Sequence, residues 1–367
     1  MSGKIGIYIH IPFCVSKCSY CDFYSLKYNE NSALEYTKKV LEQIYRWGSE
    51  LNRSADTLYF GGGTPTLLSP KQISDIIIAS KKGFGLKNAE ITLEVNPAEN
   101  LEEYFVRVAE GGVNRVSFGM QSANDSELKM LSRRHNSADV KRSVISARNA
   151  GIKNISLDIM LGIPGQTKAS LYNTLNFAIE NNPDHISAYI LSLEKNTELY
   201  KNKEKYDIPG DDLSAEYYLY TCEFLEKCGY ERYEISNFCK KGLKSRHNLK
   251  YWLGEDYLGI GPAAHSLING KRFYYDRNIQ EFLNGPKEIY EGEGGGFEEY
   301  LMLRMRLKMG VNLSDVKRLF KNANTEKIKK KALTFEKAGL IRTNGDFISL
   351  TDKGAVVSNK IIAEFLF

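Results

Sequence analysis

Cys14, Cys18 and Cys21 stand in a C-x₃-C-x₂-C spacing directly behind the alternating run Lys4–Ile11. So short a connection can fold into a loop whose three sulfurs converge on one centre. Thiolates are the ligands that soft metals and iron–sulfur clusters take. A closed structural zinc site wants four ligands, and here the fourth would have to be His10. A four-iron cluster on three thiolates instead leaves one iron open to an outside ligand. The triad by itself leaves both readings standing.

The elements that must hold this loop follow from periodicity. Ile5, Ile7, Ile9 and Ile11 alternate with Gly6, Tyr8 and His10, which predicts a strand buried on both faces. Thr57–Phe60 is a second strand, ending in Gly61-Gly62-Gly63-Thr64, where successive glycines let the backbone approach a ligand. Ile91–Val95, Arg115–Gly119, Ile155–Met160 and His185–Leu191 complete a set of six. Helices fill the gaps, among them Pro70–Phe84 with Ser69 as its N-cap and Pro70 at the first position. Strands alternating with helices predict a parallel sheet wound by right-handed crossovers. In such α/β folds, polar residues at the carboxyl ends of the strands face the ligand cleft. Glu94, Gln121, Asp158 and the Gly61–Thr64 loop all lie at that end. A carboxylate inside an apolar strand is costly without a partner, so Glu94 and Asp158 are read as ligand contacts, suited to ribose hydroxyls.

Composition narrows the classes. A chain of 367 residues holds one large domain and a smaller one. Its net charge of +5 is too mild to argue for nucleic acid. Six cysteines over this length do not make a disulfide scaffold, and an open cluster needs a reducing compartment. Met1-Ser2-Gly3 leads straight into a strand without a signal segment, and no apolar run reaches membrane-spanning length. A cytoplasmic protein is expected, with peripheral membrane contact and a homodimer left open.

The cysteine triad resembles the signature of the radical S-adenosylmethionine (SAM) superfamily. The run Tyr8-Ile9-His10-Ile11-Pro12-Phe13-Cys14 resembles its oxygen-independent coproporphyrinogen III oxidase-like branch. That resemblance extends from Tyr8 to His265. It implies a [4Fe–4S] cluster on Cys14, Cys18 and Cys21, with SAM on the open iron. It implies an α/β fold whose core is a partial (β/α)₆ TIM-type barrel. Tyr8, Tyr20, Gly62, Gly63, Thr64, Glu94, Gln121, Arg133 and Asp158 match the positions that bind SAM, and the last three of these match a second SAM site.

A second stretch, Arg246-His247-Asn248-Leu249-Lys250-Tyr251-Trp252, resembles the H-N-x-x-Y-W motif of the HemW-type haem chaperones of this branch. A neutral imidazole is an ordinary axial ligand of haem iron. His247 is therefore expected to ligate haem. Tyr251 and Trp252 would lie against the porphyrin, and Lys240, Lys241, Lys244, Arg246 and Lys250 would meet the propionates. His265 is expected to line the cleft or cap a strand. After a Glu/Gly linker at 291–296 come helices and a hairpin, with a type I′ turn at Asn344-Gly345. This tail looks like a winged helix, an α+β domain. The expected boundaries are 1–235 for the barrel, 236–290 for the haem-motif region and 291–367 for the C-terminal domain.

Three functions compete. The first is a haem chaperone on a radical SAM scaffold, with haem and a recipient apo-haemoprotein as partners. The second is the oxygen-independent coproporphyrinogen III oxidase itself. The third is a winged-helix nucleic-acid binder. The oxidase carries a further cysteine two positions after its third, where this chain has Phe23, and a long arm before the cluster, which is absent here. Both departures argue for a chaperone without coproporphyrinogen oxidase activity. The basic residues of the tail read as a solvated face, so nucleic acid is not expected as a partner.

Overall fold

The structure, a computed structural model, describes residues 3–97 and 101–366. Six strands build the barrel wall in chain order: β1 (Ile5–Ile11), β2 (Ala55–Gly62), β3 (Glu90–Val95), β4 (Arg115–Gln121), β5 (Asn154–Leu161) and β6 (His185–Ile190). Each pairs with its successor in parallel. The sheet does not stop there. Tyr257–Ile260 lies parallel to β1 on its other side, so the parallel run has seven strands rather than the expected six. Antiparallel strands extend both edges, and the two outermost do not pair, so the barrel stays open.

Local chemistry explains the elements between. Ser69 caps the helix Pro70–Phe84, accepting from the Gln72 N–H while Gln72 Oε1 accepts from the Ser69 N–H. Such a reciprocal cap is worth about 1 kcal/mol. Thr167 and Asn136 do the same for the helices after β5 and β4. These helices press their apolar faces on the sheet, and all of β1 except Tyr8 is buried. A carbonyl-end opening is left where the strands splay, and the loops that follow them surround it.

Beyond the barrel, the first half of the expected linker 291–296 belongs to a strand: Ile289–Glu293 pairs antiparallel with Lys271–Tyr274 at the sheet edge, and only 294–296 connect it to the next helix. Leu301, Val316, Ile328, Ile348 and Ile361 form a second core in the tail. It packs the helices Leu313–Leu319 and Thr325–Lys337 against a three-stranded sheet. In the hairpin Asn344 pairs with Phe347, so the turn is Gly345-Asp346. Gly345 has φ 59° and Asp346 is not among the positive-φ residues. Positive φ at the first central position alone fits type II′, not the expected type I′. Among the described residues no helix is long and apolar enough to cross a membrane.

Candidate functional site

The three cysteines lie on a loop stapled to the glycine-rich turn after β2. The Gly63 N–H donates to Ile11 O at 2.8 Å and the Thr64 N–H to Phe13 O at 2.7 Å. A side chain at Gly63 would put its Cβ 2.4 Å from Phe13 O, so only glycine permits this approach. Thr64 Oγ1 stands 3.6 Å from Cys14 Sγ, and Arg133 donates to Cys18 Sγ at 3.5 Å. The same guanidinium donates to Gly119 O at 2.7 Å, tying the loop to β4.

All three cysteines are partly exposed and line one cavity of about 920 Å³. Tyr8, Tyr20, Gly62, Gly63, Thr64, Glu94, Gln121, Arg133 and Asp158 line it too. Residues spread over 150 positions of sequence thus share one wall: Glu94 and Gln121 lie at strand ends and Gly62, Gly63, Thr64 and Tyr20 at or just past them, while Tyr8 and Asp158 face in from mid-strand and Arg133 reaches in from the turn after the helix Asp125–Met130. The carboxylates are held by neighbours that sequence reasoning missed. Tyr59 donates to Glu94 Oε1 at 2.8 Å and the Gly62 N–H to Oε2 at 3.2 Å. Ser117 donates to Asp158 Oδ1 at 3.1 Å, and Tyr189 donates to Gln121 Oε1 at 2.7 Å. Tyr59, Ser117 and Tyr189 all belong to barrel strands, and inward alternation along the strand was their one available signal. Burial pushes the Glu94 carboxyl up to about 7 despite these donors, and burial likewise raises Asp158.

The donor set fits a [4Fe–4S] cluster better than a zinc ion. His10 is 4% exposed; its Nε2–H donates to Tyr24 O at 2.9 Å, and its Nδ1 accepts from the Tyr8 hydroxyl at 3.1 Å. No nitrogen is left to complete a zinc site. Among the described residues no three His, Cys, Asp or Glu side chains gather closely enough to hold one ion. A four-iron cluster takes each thiolate on a different iron.

His247 is not brought to this wall. Its helix, Arg246–Leu253, is capped by Ser245 and slots beneath the amino ends of β1 and β2. The imidazole is 1% exposed. Its Nδ1 is 2.8 Å from Thr57 Oγ1 and its Nε2 2.9 Å from the Tyr251 hydroxyl. The ring stacks on Tyr59 at 5.1 Å, and the backbone N–H of His247 donates to Glu90 Oε1 at 3.0 Å. Burial lowers its pKa to about 3, so the ring is neutral. The expected free ligand nitrogen is therefore absent in this conformation. Both are spent closing the barrel floor. Asn248 and Tyr251 face the cavity from below, whereas Trp252 lies under the Arg306 guanidinium. Two of the five cations expected around the motif are engaged in ion pairs: Lys250 with Asp56 at 2.9 Å and Glu255 at 3.0 Å, and Arg246 with Asp56 at 3.2 Å.

Comparison with known proteins bears on this geometry. Residues 8–178 match the radical SAM superfamily, and residues 297–357 match the HemN C-terminal domain. The heme chaperone HemW of Buchnera aphidicola (subsp. Schizaphis graminum) is 35% identical over 99% of this chain and 98% of its own length. The heme chaperone HemW of Bacillus subtilis is 31% identical, covering 98% of each chain. The solved coproporphyrinogen III oxidase (HemN) of Escherichia coli superposes with a TM-score of 0.85 at 21% identity, over 99% of this chain and 90% of that one. At that identity the likeness shows the fold.

Proposed function

The chain belongs to the family of the heme chaperone HemW, and from that membership we propose that it is itself a haem chaperone, holding a [4Fe–4S] cluster, SAM and haem and passing haem to an apo-haemoprotein. The observation that carries the site is the gathering of Cys14, Cys18 and Cys21 with the nine SAM-type positions around one cavity.

A cluster on the three thiolates would supply an open iron for the amino and carboxylate groups of SAM. This chain's own residues do the positioning. Glu94, aimed by Tyr59 and the Gly62 N–H, accepts hydroxyl donors once ionised. Asp158, braced by Ser117, offers a second acceptor on the same cavity wall. Arg133 spans Cys18 and Gly119 and fixes the cluster loop against β4. Tyr20 is kept protonated by burial and faces the cavity as a hydroxyl. Phe23, 64% exposed, occupies the place where the oxidase signature has a further thiol, which favours the chaperone over the oxidase.

The test is an anaerobic haem titration of reconstituted protein, followed in the Soret region, and then transfer to a haem-free acceptor protein. Saturable binding at one haem per chain, with transfer, is expected. Absence of saturable binding would overturn the reading, and turnover of coproporphyrinogen III with SAM and a reductant would replace it by the oxidase.

A further inference from the structure

The chain has five histidines, and four are walled off. His10 and His247 have both ring nitrogens engaged, as described above. His185 is wholly buried, with Nδ1 2.8 Å from Ser156 Oγ and Nε2 2.9 Å from the Tyr233 hydroxyl. His135 is 4% exposed and its Nε2–H donates to Met120 O at 3.1 Å. His265 differs from all of them. Its side chain is 52% exposed, it lines the cluster cavity, and its Nε2 has no partner among the described residues.

The setting of His265 has the form of a ligand site. Its Nδ1 is 3.3 Å from Glu291 Oε2, and its ring stacks on Tyr274 at 5.1 Å and 24°. Glu291 reaches it from two strands away. Arg272 pairs with Gly292 and Phe273 with Tyr290, so Glu291 is the extra residue of a β-bulge. Bulges re-aim a side chain in this way. A carboxylate on one imidazole nitrogen fixes the tautomer, turns the lone pair outward on the other and makes it a better donor to iron. Ile289, 37% exposed and paired with Tyr274, extends an apolar shelf beside the ring. Arg277 lines the same cavity; one guanidinium nitrogen donates to Asp22 O at 2.8 Å and another lies 3.7 Å from the Asp22 carboxylate, and the half-exposed group keeps further N–H donors for a propionate.

Resting on the haem-chaperone reading, we propose that His265, oriented by Glu291 and Tyr274, is the axial ligand through which this chain first takes up haem iron. His247 then acts as a positioning residue beneath the barrel.

The test uses ferric haem titrated into the full, cluster-loaded chain and its variants His265→Ala, Glu291→Gln and His247→Gln. The readouts are Soret position, charge-transfer bands, affinity and the iron midpoint potential. The expectation for His265→Ala is loss of the imidazole-ligated spectrum and about tenfold weaker binding, with an unchanged unfolding midpoint because the residue is exposed. Free imidazole should restore the spectrum in His265→Gly. Glu291→Gln should keep the imidazole-ligated spectrum but raise the potential, since the ligand loses its anionic partner. An unaltered spectrum and affinity in His265→Ala would overturn the inference and leave the chaperone reading intact. Loss of the imidazole bands in His247→Gln alone would overturn it in favour of His247. Failure of the parent chain to bind haem would overturn both.

Discussion

Replacing His247 by alanine should unfold the barrel floor before it says anything about haem. The imidazole bridges Thr57 and Tyr251 at 2.8 and 2.9 Å and is 1% exposed. Removing it leaves the buried Thr57 hydroxyl unpaired, at about 1–3 kcal/mol, and frees the half-buried Tyr251 hydroxyl toward the cavity. It also opens a void beneath Tyr59, and emptying a ring-sized core site costs about 3–5 kcal/mol in its own right. These terms overlap, because relaxation that fills the void lets water or a neighbour reach the hydroxyls. A net loss of about 3–5 kcal/mol is expected, a large part of a typical total of 5–15 kcal/mol. In urea this lowers the midpoint by on the order of 1–2 M. Glutamine at the same place keeps one donor and one acceptor and should cost about 1–2 kcal/mol. The assay is urea unfolding of apo protein at pH 7.5, with no cluster, SAM or haem present. The loosening should also reach Glu94 through the stacked Tyr59, so the alanine variant should bind SAM less well even without haem. A midpoint within 0.5 M of the parent's, on the order of 1 kcal/mol, would refute the closed floor. It would return His247 to the role of an accessible ligand.

Four further outcomes follow from the same geometry. The Glu94 carboxyl titrates near 7 and must ionise to accept hydroxyls, so SAM affinity measured by calorimetry should rise as pH climbs toward 7, by up to about tenfold per unit, and level off above it; Glu94→Gln should bind weakly with no such slope, and a flat profile in the parent would exclude the ionised contact. The raised folded value also means that Glu94 costs stability as pH rises from its unfolded value near 4.5 through 7, so Glu94→Gln apo protein should be the more stable one at pH 8. His247 is lowered to about 3 and His10 and His135 to about 4, so each ring holds fewer protons in the folded chain below pH 6.5; each should cost up to about 1.4 kcal/mol per unit as pH drops from 6.5 toward 4, with Glu94 offsetting about one ring's share above pH 4.5, and urea midpoints of Glu94→Gln protein that hold steady between pH 6.5 and 5 would contradict the burial of the rings. Gly63→Ala drives a Cβ to 2.4 Å from Phe13 O and should break the two bonds that staple the cluster loop; the test is iron and sulfide content after reconstitution, and a full cluster in this variant would show that the loop tolerates the displacement.

What could be read from the residues depended on how local the cause was. Glu94, Gln121 and Asp158 were legible because a parallel strand's polar end points one way in every crossover unit, whatever the partner strand. Ser69 before Pro70 was legible because a cap is decided within four residues. The Gly345-Asp346 turn was misread by one position, since it is fixed by the pairing of Phe347 with Asn344 and, across the sheet, with Asn312, not by the Asn-Gly pair. The seventh parallel strand was missed for a related reason. Tyr257–Ile260 is short, and only the vacant edge of β1, some 250 residues earlier, makes it a strand.

The two histidines of the haem reading are the sharpest case. A motif states residue types and spacing, and His247, Tyr251 and Trp252 have the types a porphyrin would use. What decides whether an imidazole nitrogen is free is what else reaches it. For His247 Nε2 the answer is Tyr251, inside the motif itself; for Nδ1 it is Thr57, 190 residues away in sequence, at the amino end of a strand that the helix plugs. For His265 it lies in a bulge that turns Glu291 inward and leaves Nε2 open. The two roles also require each other. The rigid floor held by His247 fixes Tyr59 and through it Glu94, while the edge strands that carry His265 are attached to the same β1 through Tyr257–Ile260. On the His265 proposal, an incoming metalloporphyrin would meet its ligand on the third strand in from the sheet edge, at the cluster cavity that this floor shapes.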